Sequence, residues 1–425
     1  MNTDILLHPC SLDGRIPLHP SKSYLHRLII ASYLSCDDPK TLHLFDEFKE
    51  IQDLNATIDG MNALLSSDNK QVFTGESAST LRMLLPIALA MNKPCKFILS
   101  KSLSKRPIKF LLDILTDAGA TCTTSFDEND RLNIDVTGKI DPDTYTLDTA
   151  VSSQHISGFL FALSLLDKPC ELIVNEKYSD KSYINITLNV IKQFGIRYDM
   201  EKFQDRYIIN IDGRQTYTSP TYNILSIAEP DFSNLAPWLI ARAIGSYKLT
   251  LPDLPSSSPQ PDSIIMKIIN AYDTMNREKI RLNSSEEEPY TIDISKSLDL
   301  FPPLCVLTAF SNTKTLFTNI DKLKIKESDR VKSMQDILAK INIDTSISKN
   351  TLLINGNPES VSCRSPKGII HLNSYGDHRI AMAAIILSCR LNTPIHLCGA
   401  DALKKSYPSF LEEFKSLGGK YDIYV

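Results

Sequence analysis

The sequence predicts an α/β protein made of repeated units and split into two domains, and three observations carry that prediction. At 425 residues the chain exceeds what one ordinary hydrophobic core holds, so two or three domains are expected. Two kinds of helical pattern take turns along it, six of each. Between them lie β-rich pieces such as Arg131 to Val136, Tyr207 to Ile211, Tyr290 to Ile294 and Thr351 to Ile354, whose composition and alternation suit half-buried strands.

The first kind of helix opens on or beside Ser, Asp or Gly and turns strongly apolar, beginning near Ser23, Ser79, Ser153, Phe232, Asp299 and Asp377. A polar start caps the orphaned N-H groups, and an apolar surface nearly all round predicts burial inside a domain. The second kind is more amphipathic, at Leu54 to Leu65, Ile108 to Ala118, Ile184 to Phe194, Ile264 to Tyr272, Asp329 to Ile341 and Ser409 to Leu417. Those belong outside, one face on the core. Strict alternation with a period of ~55 to 80 residues marks a structural repeat, and six units divide naturally into two domains of three. The polar stretch Gln215 to Thr221 is the expected crossing between domains, and Pro252 to Pro261 reads as a loop within the second.

Composition narrows the function classes. A 42% hydrophobic, 23% charged chain is ordinary for a soluble globular protein, and its net charge of −4 argues against a general nucleic-acid or anionic-membrane surface. Any anion site must be local. The nine cysteines, at 10, 36, 95, 122, 170, 305, 363, 389 and 398, form no CxxC pair and no Cys/His grouping at zinc spacing; they read as reduced thiols, and no metal is expected. The start MNTDILLHPC carries an acid at position 4 and lacks the apolar core of a secretory signal. Apolar runs such as Gly158 to Leu166 fall short of the ~20 residues that span a bilayer. The expectation is a cytoplasmic protein. Neither GxxxxGK[ST] nor a strand-borne GxGxxG is present, so nucleotide-binding folds lack support.

Cations recur where helices begin, the end at which the dipole disfavours them. Lys324-Ile-Lys326-Glu327-Ser328-Asp329-Arg330 packs three cations and two carboxylates before the periodic run Val331, Met334, Ile337, Leu338, Ile341. Ser328 is the expected N-cap, and Lys326 and Arg330, four apart, are expected to share a helix face. Ser21-Lys22-Ser23 leads into a helix carrying Arg27. Gly75-Glu-Ser-Ala-Ser79 is a small-residue turn with Arg82 just beyond it. Arg106-Pro107 reads as a helix start, Ser152-Ser153-Gln154 offers hydroxyls and an amide, Asp377-His378-Arg379 opens an apolar helix, and Lys404-Lys405-Ser406 precedes Pro408. Each alone is as readily a cap, a buried arginine or a solvated cluster. Together they exceed what one phosphate needs and point to a site for at least two anionic groups.

The segments PSKSYLHR, GESASTLRMLLPIA, RPIKFLLDIL, VSSQHISGFLFAL, KSYINITLNVIKQFG, KIKESDR, YGDHRIAMA and KKSYPSFLEEF resemble, in order and spacing, the motifs of the 5-enolpyruvylshikimate-3-phosphate (EPSP) synthase family of enolpyruvyl transferases, over nearly the whole chain. The resemblance implies a two-domain inside-out α/β barrel of six βαβαββ repeats, three per domain. One domain covers 20–226, the other combines 1–19 with 227–425, and the active site lies in the cleft between them. It implies transfer of the enolpyruvyl group of phosphoenolpyruvate to the 5-hydroxyl of shikimate 3-phosphate, with no cofactor, by a monomer.

Carried over by motif, Lys22, Ser23, Arg27, Ser152, Ser153, Gln154, Tyr183, Asp299 and Lys326 would contact shikimate 3-phosphate. Lys22, Ala78, Arg106, Gln154, Arg330, Arg379 and Lys405 would contact phosphoenolpyruvate, with Lys22 and Lys405 on its phosphate and Arg330 and Arg379 on its carboxylate. Asp299 matches the catalytic base toward the hydroxyl, Glu327 the proton carrier at the methylene, and Lys22 the acid on the departing phosphate. Several positions depart from the family pattern: Pro20 and Ala78 for Gly, Glu76, Lys322 and Gly376 for Asn, and Asp180 for a phosphate-contacting Ser. Asp180 would repel a phosphate, and the Ala78 methyl would crowd glyphosate in the phosphoenolpyruvate site. The alternatives are the related UDP-N-acetylglucosamine enolpyruvyl transferase and a non-catalytic polyanion-binding relative. Against the first stand Lys22-Ser23 in place of Lys-Asn and the lack of cysteine between Ile98 and Arg106; against the second, the two carboxylates kept beside an anion site.

Overall fold

The computed structural model describes residues 3–35, 39–66, 70–141, 143–148, 152–175, 182–246, 248–282, 288–357 and 368–424. The chain forms two compact units, one of Met1–His19 with Pro230–Val425 and one of Pro20–Glu229. In chain order, β1 (Asp4–His8) and β2 (Asp13–Arg15) belong to the first of these.

The Pro20–Glu229 unit begins with α1 (Lys22–Leu34) and α2 (Gln52–Leu65). Two repeats follow. One is β3 (Gln71–Gly75), α3 (Ala78–Ala90), β4 (Cys95–Leu99), α4 (Lys109–Asp117), β5 (Thr121–Phe126), β6 (Leu132–Thr137). The other is β7 (Thr144–Asp148), α5 (Ser153–Leu163), β8 (Cys170–Asn175), α6 (Ser182–Gln193), β9 (Tyr198–Lys202), β10 (Arg206–Ile211). Each repeat makes one sheet, β3-β4-β6-β5 and β7-β8-β10-β9. The helical crossover sets the first two strands parallel, and the closing hairpin adds the last two antiparallel.

In the other unit α7 (Phe232–Ile244), β11 (Lys248–Thr250) and α8 (Ile265–Leu282) come first, and β11 pairs parallel with β2. Then come β12 (Tyr290–Asp293), α9 (Phe301–Ala309), β13 (Lys314–Thr318), α10 (Arg330–Lys340), β14 (Asp344–Ser348), β15 (Thr351–Asn355), in a sheet β12-β13-β15-β14. Last are β16 (Ile370–Asn373), α11 (His378–Leu387), β17 (Ile395–Cys398), α12 (Phe410–Ser416) and β18 (Lys420–Tyr424). Here β1, from the other end of the chain, supplies the fourth strand: β16-β17-β1-β18.

Among the described residues, therefore, four units are complete βαβαββ repeats. A fifth is reduced to the β2–β11 pair with α7 and α8, and α1 and α2 are present without paired strands. The apolar helices are interior as their composition requires: every residue of α9 and α11 is buried, whereas α10 buries one face. Helices α3 and α5 approach closely at Gly158, where an added Cβ would stand 2.5 Å from the Arg82 carbonyl oxygen.

Four local expectations need correction. The Gln215 to Thr221 stretch does not cross between units; Tyr217 is buried, hydrogen-bonded to Ser164 and Phe161, and the division falls at Glu229/Pro230. Arg106-Pro107 precede α4 and do not start it. Helix α8 runs ten residues past Tyr272. Asp329, one residue after Ser328, caps α10, its Oδ1 accepting from the Lys332 N-H at 3.1 Å. Lys326 consequently lies before the helix and shares no helical face with Arg330.

Candidate active site

In the Pro230–Val425 unit the N-terminus of α10 places Arg330 among three carboxylates. The guanidinium, 1% exposed, donates to Asp299 Oδ1 at 2.7 Å, Asp377 Oδ2 at 2.8 Å and Glu327 Oε2 at 3.0 Å, and reaches the Leu298 carbonyl at 3.2 Å. A planar fork with five donors fits this arrangement where a lysine would not. Arg379, second residue of α11, donates to Asp299 Oδ2 at 3.3 Å and Asn234 Oδ1 at 2.9 Å. Lys405 is buried with its Nζ 3.8 Å from Glu327 Oε1. Asp377 is the N-cap of α11, accepting from the Arg379 N-H at 2.9 Å, and Ser328 donates to it at 3.2 Å.

Burial opposes ionisation of Asp299, but Arg330, Arg379 and Lys326 outweigh it and hold the carboxyl well below the usual carboxylate range. In return Asp377, Asp299 and Glu327 offset the burial of Arg330 and hold its guanidinium protonated. The structure thus brings Asp299, Glu327, Lys326, Arg330, Arg379 and Lys405 into one cluster. Lys324, beside them in sequence, pairs with Asp321 at the surface.

The Pro20–Glu229 unit gathers a second set. Arg27, 2% exposed on α1, donates to Thr187 Oγ1 at 2.6 Å, Ser157 Oγ at 2.8 Å and the Ser23 carbonyl at 2.6 Å, with the Tyr183 carbonyl at 3.4 Å. Its neighbours are hydroxyls and carbonyls, and burial pushes the guanidinium down to about 10. Ser153 joins through its carbonyl, which accepts from Ser157 Oγ at 3.2 Å. Lys22 pairs with Asp53 at 2.7 Å. Ser152 caps α5, and Arg82 donates to Gln154 Oε1 at 2.8 Å while Gln154 donates on to Ser79 at 2.7 Å. Through this bond Arg82 orients Gln154. Arg82 also donates to Ser152 Oγ at 3.5 Å and to the Pro107 carbonyl at 3.4 Å, which brings in the segment of Arg106. Ala78 is the first residue of α3, buried behind the Ser77 cap.

The model of the family EPSP synthase (3-phosphoshikimate 1-carboxyvinyltransferase) matches residues 8–414 of this chain. The chain belongs to the EPSP synthase family. Curated relatives include the 3-phosphoshikimate 1-carboxyvinyltransferases of Clostridium kluyveri and Clostridioides difficile, each 32% identical over 98% of both chains. The fold is similar to that of EPSP synthase from Acinetobacter baumannii, with a TM-score of 0.69 at 19% identity over the whole of both chains. It is also similar to that of the enolpyruvyl transferase NikO from Streptomyces tendae, with a TM-score of 0.64 at 14% identity, covering 100% of this chain and 99% of that one.

Of the departures from the EPSP synthase pattern, Gly376 is explained by its backbone: its φ of +69° lies in the left-handed region that Gly and Asn both favour. Asp180 lies outside the described residues. Sequence reading passed over two further groupings. Asp262, in the 3-10 turn Pro261–Ile264 that follows the Pro-rich loop, is 2% exposed and accepts from Ser233; burial, with Asp299 near it, pushes its carboxyl up to about 7. And although no metal-ligand spacing exists along the chain, the last sheet brings Asp4, His396 and Cys398 together.

Proposed function

We propose that this chain is a 3-phosphoshikimate 1-carboxyvinyltransferase, moving the enolpyruvyl group of phosphoenolpyruvate onto the 5-hydroxyl of shikimate 3-phosphate. The observation that carries the reading is the family match over residues 8–414, supported by the Asp299–Glu327–Arg330–Arg379–Lys405 cluster. The six-repeat inside-out barrel and the 20–226 division belong to the same proposal.

The hydroxyl oxygen attacks C2 of phosphoenolpyruvate, Asp299 takes its proton, and Glu327 delivers a proton to C3. In the reverse sense at C3, Glu327 then removes a proton as the C2–O bond to phosphate breaks, Lys22 protonating the departing oxygen. An Asp299 paired with two arginines is a poor base. Binding of the phosphoenolpyruvate carboxylate to Arg330 and Arg379 would draw both away from it, raising its proton affinity once substrate is present. Arg27, with Ser23, Ser152, Ser153, Gln154, Tyr183 and Lys326, would hold shikimate 3-phosphate; Arg106, Ala78 and Lys405 would line the phosphoenolpyruvate side. A buried guanidinium surrounded by hydroxyls suits an incoming anion.

The test is phosphate release by purified protein with phosphoenolpyruvate and shikimate 3-phosphate, repeated with UDP-N-acetylglucosamine. Release with the first acceptor is expected; release only with the second would overturn the assignment.

A further inference from the structure

The outer face of the sheet β16-β17-β1-β18 carries a set of donors that the proposed reaction does not use. Antiparallel pairing of Ile5 with Leu397 sets Asp4 beside Cys398, and strand alternation puts His396 on the same face as Cys398. One donor atom from each of Asp4, His396 and Cys398 lies within 4.8 Å of the other two. Three of the sheet's strands hold the arrangement, because His371 on β16 is the register partner of His396.

The histidine is the informative member. His396 is 8% exposed, and its Nε2 makes no hydrogen bond, with Asp4 Oδ2 3.5 Å away. A buried imidazole nitrogen without a hydrogen bond is costly. Its other nitrogen, Nδ1, stands 2.9 Å from His371 Nδ1, so Nδ1-H can donate to His371 and leave the Nε2 lone pair directed at the carboxylate. Metal-binding histidines are oriented in this way, one nitrogen on the ion and the other on a fixed acceptor. Asp4 is likewise steadied through Oδ1, which accepts from the Gly399 N-H at 3.0 Å. Cys398 Sγ lies 3.9 Å from His396 Nδ1, the ring nitrogen that faces His371.

We propose that Asp4, His396 and Cys398 bind a thiophilic divalent cation, with Zn2+ favoured by the sulfur, nitrogen and oxygen donor set. His396 contributes Nε2, His371 orients it, and water completes a tetrahedron. Bond lengths of about 2.0 to 2.3 Å place zinc ligands about 3.3 to 3.8 Å apart, so the three side chains close by about 1 Å through rotamer shifts. Binding displaces the Cys398 thiol proton to solvent. The ion ties the N-terminal strand to β17 and takes no part in enolpyruvyl transfer.

The experiment uses the full chain, reduced and stripped with a chelator, titrated with Zn2+ against a chromophoric competitor and separately with Co2+. One equivalent of Zn2+ and a thiolate-to-cobalt charge-transfer band are expected, together with a higher Tm in zinc. Cys398→Ser should abolish the band, Asp4→Asn should weaken zinc binding, and His371→Ala, which removes no ligand, should weaken it about 10- to 100-fold. The proposal is overturned if the wild type binds less than one equivalent, or if the cobalt band and the zinc affinity are unchanged in Cys398→Ser and His371→Ala. A band that persists in Cys398→Ser would make the chain's other cysteines the ligands.

Discussion

Replacing Arg330 by Met removes the centre of the acidic cluster while keeping similar bulk. Three carboxylates lose a partner, unequally. Asp299 retains Arg379 at 3.3 Å and Glu327 retains Lys405 at 3.8 Å, whereas Asp377, with no exposure, keeps only the Ser328 hydroxyl and the Arg379 amide of the bonds described. A buried charge stripped of its ion-pair partner typically costs about 3 to 5 kcal/mol. With an m-value of about 3 kcal/mol/M in urea, the midpoint should fall by about 1 to 2 M. The single tryptophan, Trp238, is fully buried in the same unit, so its fluorescence reports on that unit's unfolding. The loss should also narrow in acid. Asp299 in the wild type is held well below its unfolded value, so the stability it contributes is present above that value and is lost as pH falls through its folded one. A midpoint change under about 0.3 M at pH 8, or one as large at about pH 2, below the unfolded value of 3.8, as at pH 8, would refute the reasoning.

Asp262 runs the other way. Its folded value of about 7 lies above the unfolded 3.8, so its contribution is full below 3.8 and lost as pH rises through 7. Asp262→Asn should gain on the wild type between pH 4 and pH 8, by at most about 4 kcal/mol; parallel urea curves at the two pH values would argue otherwise. Gly158→Ala drives a methyl against the Arg82 backbone and should cost about 1 to 3 kcal/mol by calorimetry; a neutral result would mean α3 and α5 separate freely. Ala78→Gly should lower the glyphosate inhibition constant in the phosphate-release assay, and an unchanged constant would dismiss crowding by the methyl.

The alternation of apolar and amphipathic helices was legible because burial on all sides leaves a compositional trace. α9 and α11 carry almost no polar side chain in their interior, while α10 keeps a charged face. The cluster residues were legible as cations at helix starts, a conflict with the dipole that only carboxylates or a ligand resolve. What stayed hidden depends on contacts distant in sequence. Ser328 and Asp329 are equally good caps on paper; the pull of Asp377, 49 residues away, on Ser328 leaves Asp329 to cap. Tyr217 sits in a polar stretch but finds Ser164, 53 residues earlier, and is buried there. Asp262 follows the Pro252 to Pro261 loop without a signal of its own, and the donors at 4, 396 and 398 meet only through strand register.

Because β1 closes the last sheet, pairing Asp4 with Tyr424 and Ile5 with Leu397, the two units differ in when they can be finished during synthesis. Pro20–Glu229 is contiguous and can fold as soon as it leaves the ribosome. Its partner holds β1 in waiting until β17 and β18 have been made. The ends of the chain lie on neighbouring strands, so a circular permutant that moves residues 1–19 behind residue 425 would make that unit contiguous as well. It should refold faster than the natural order, with the same sheet at the end.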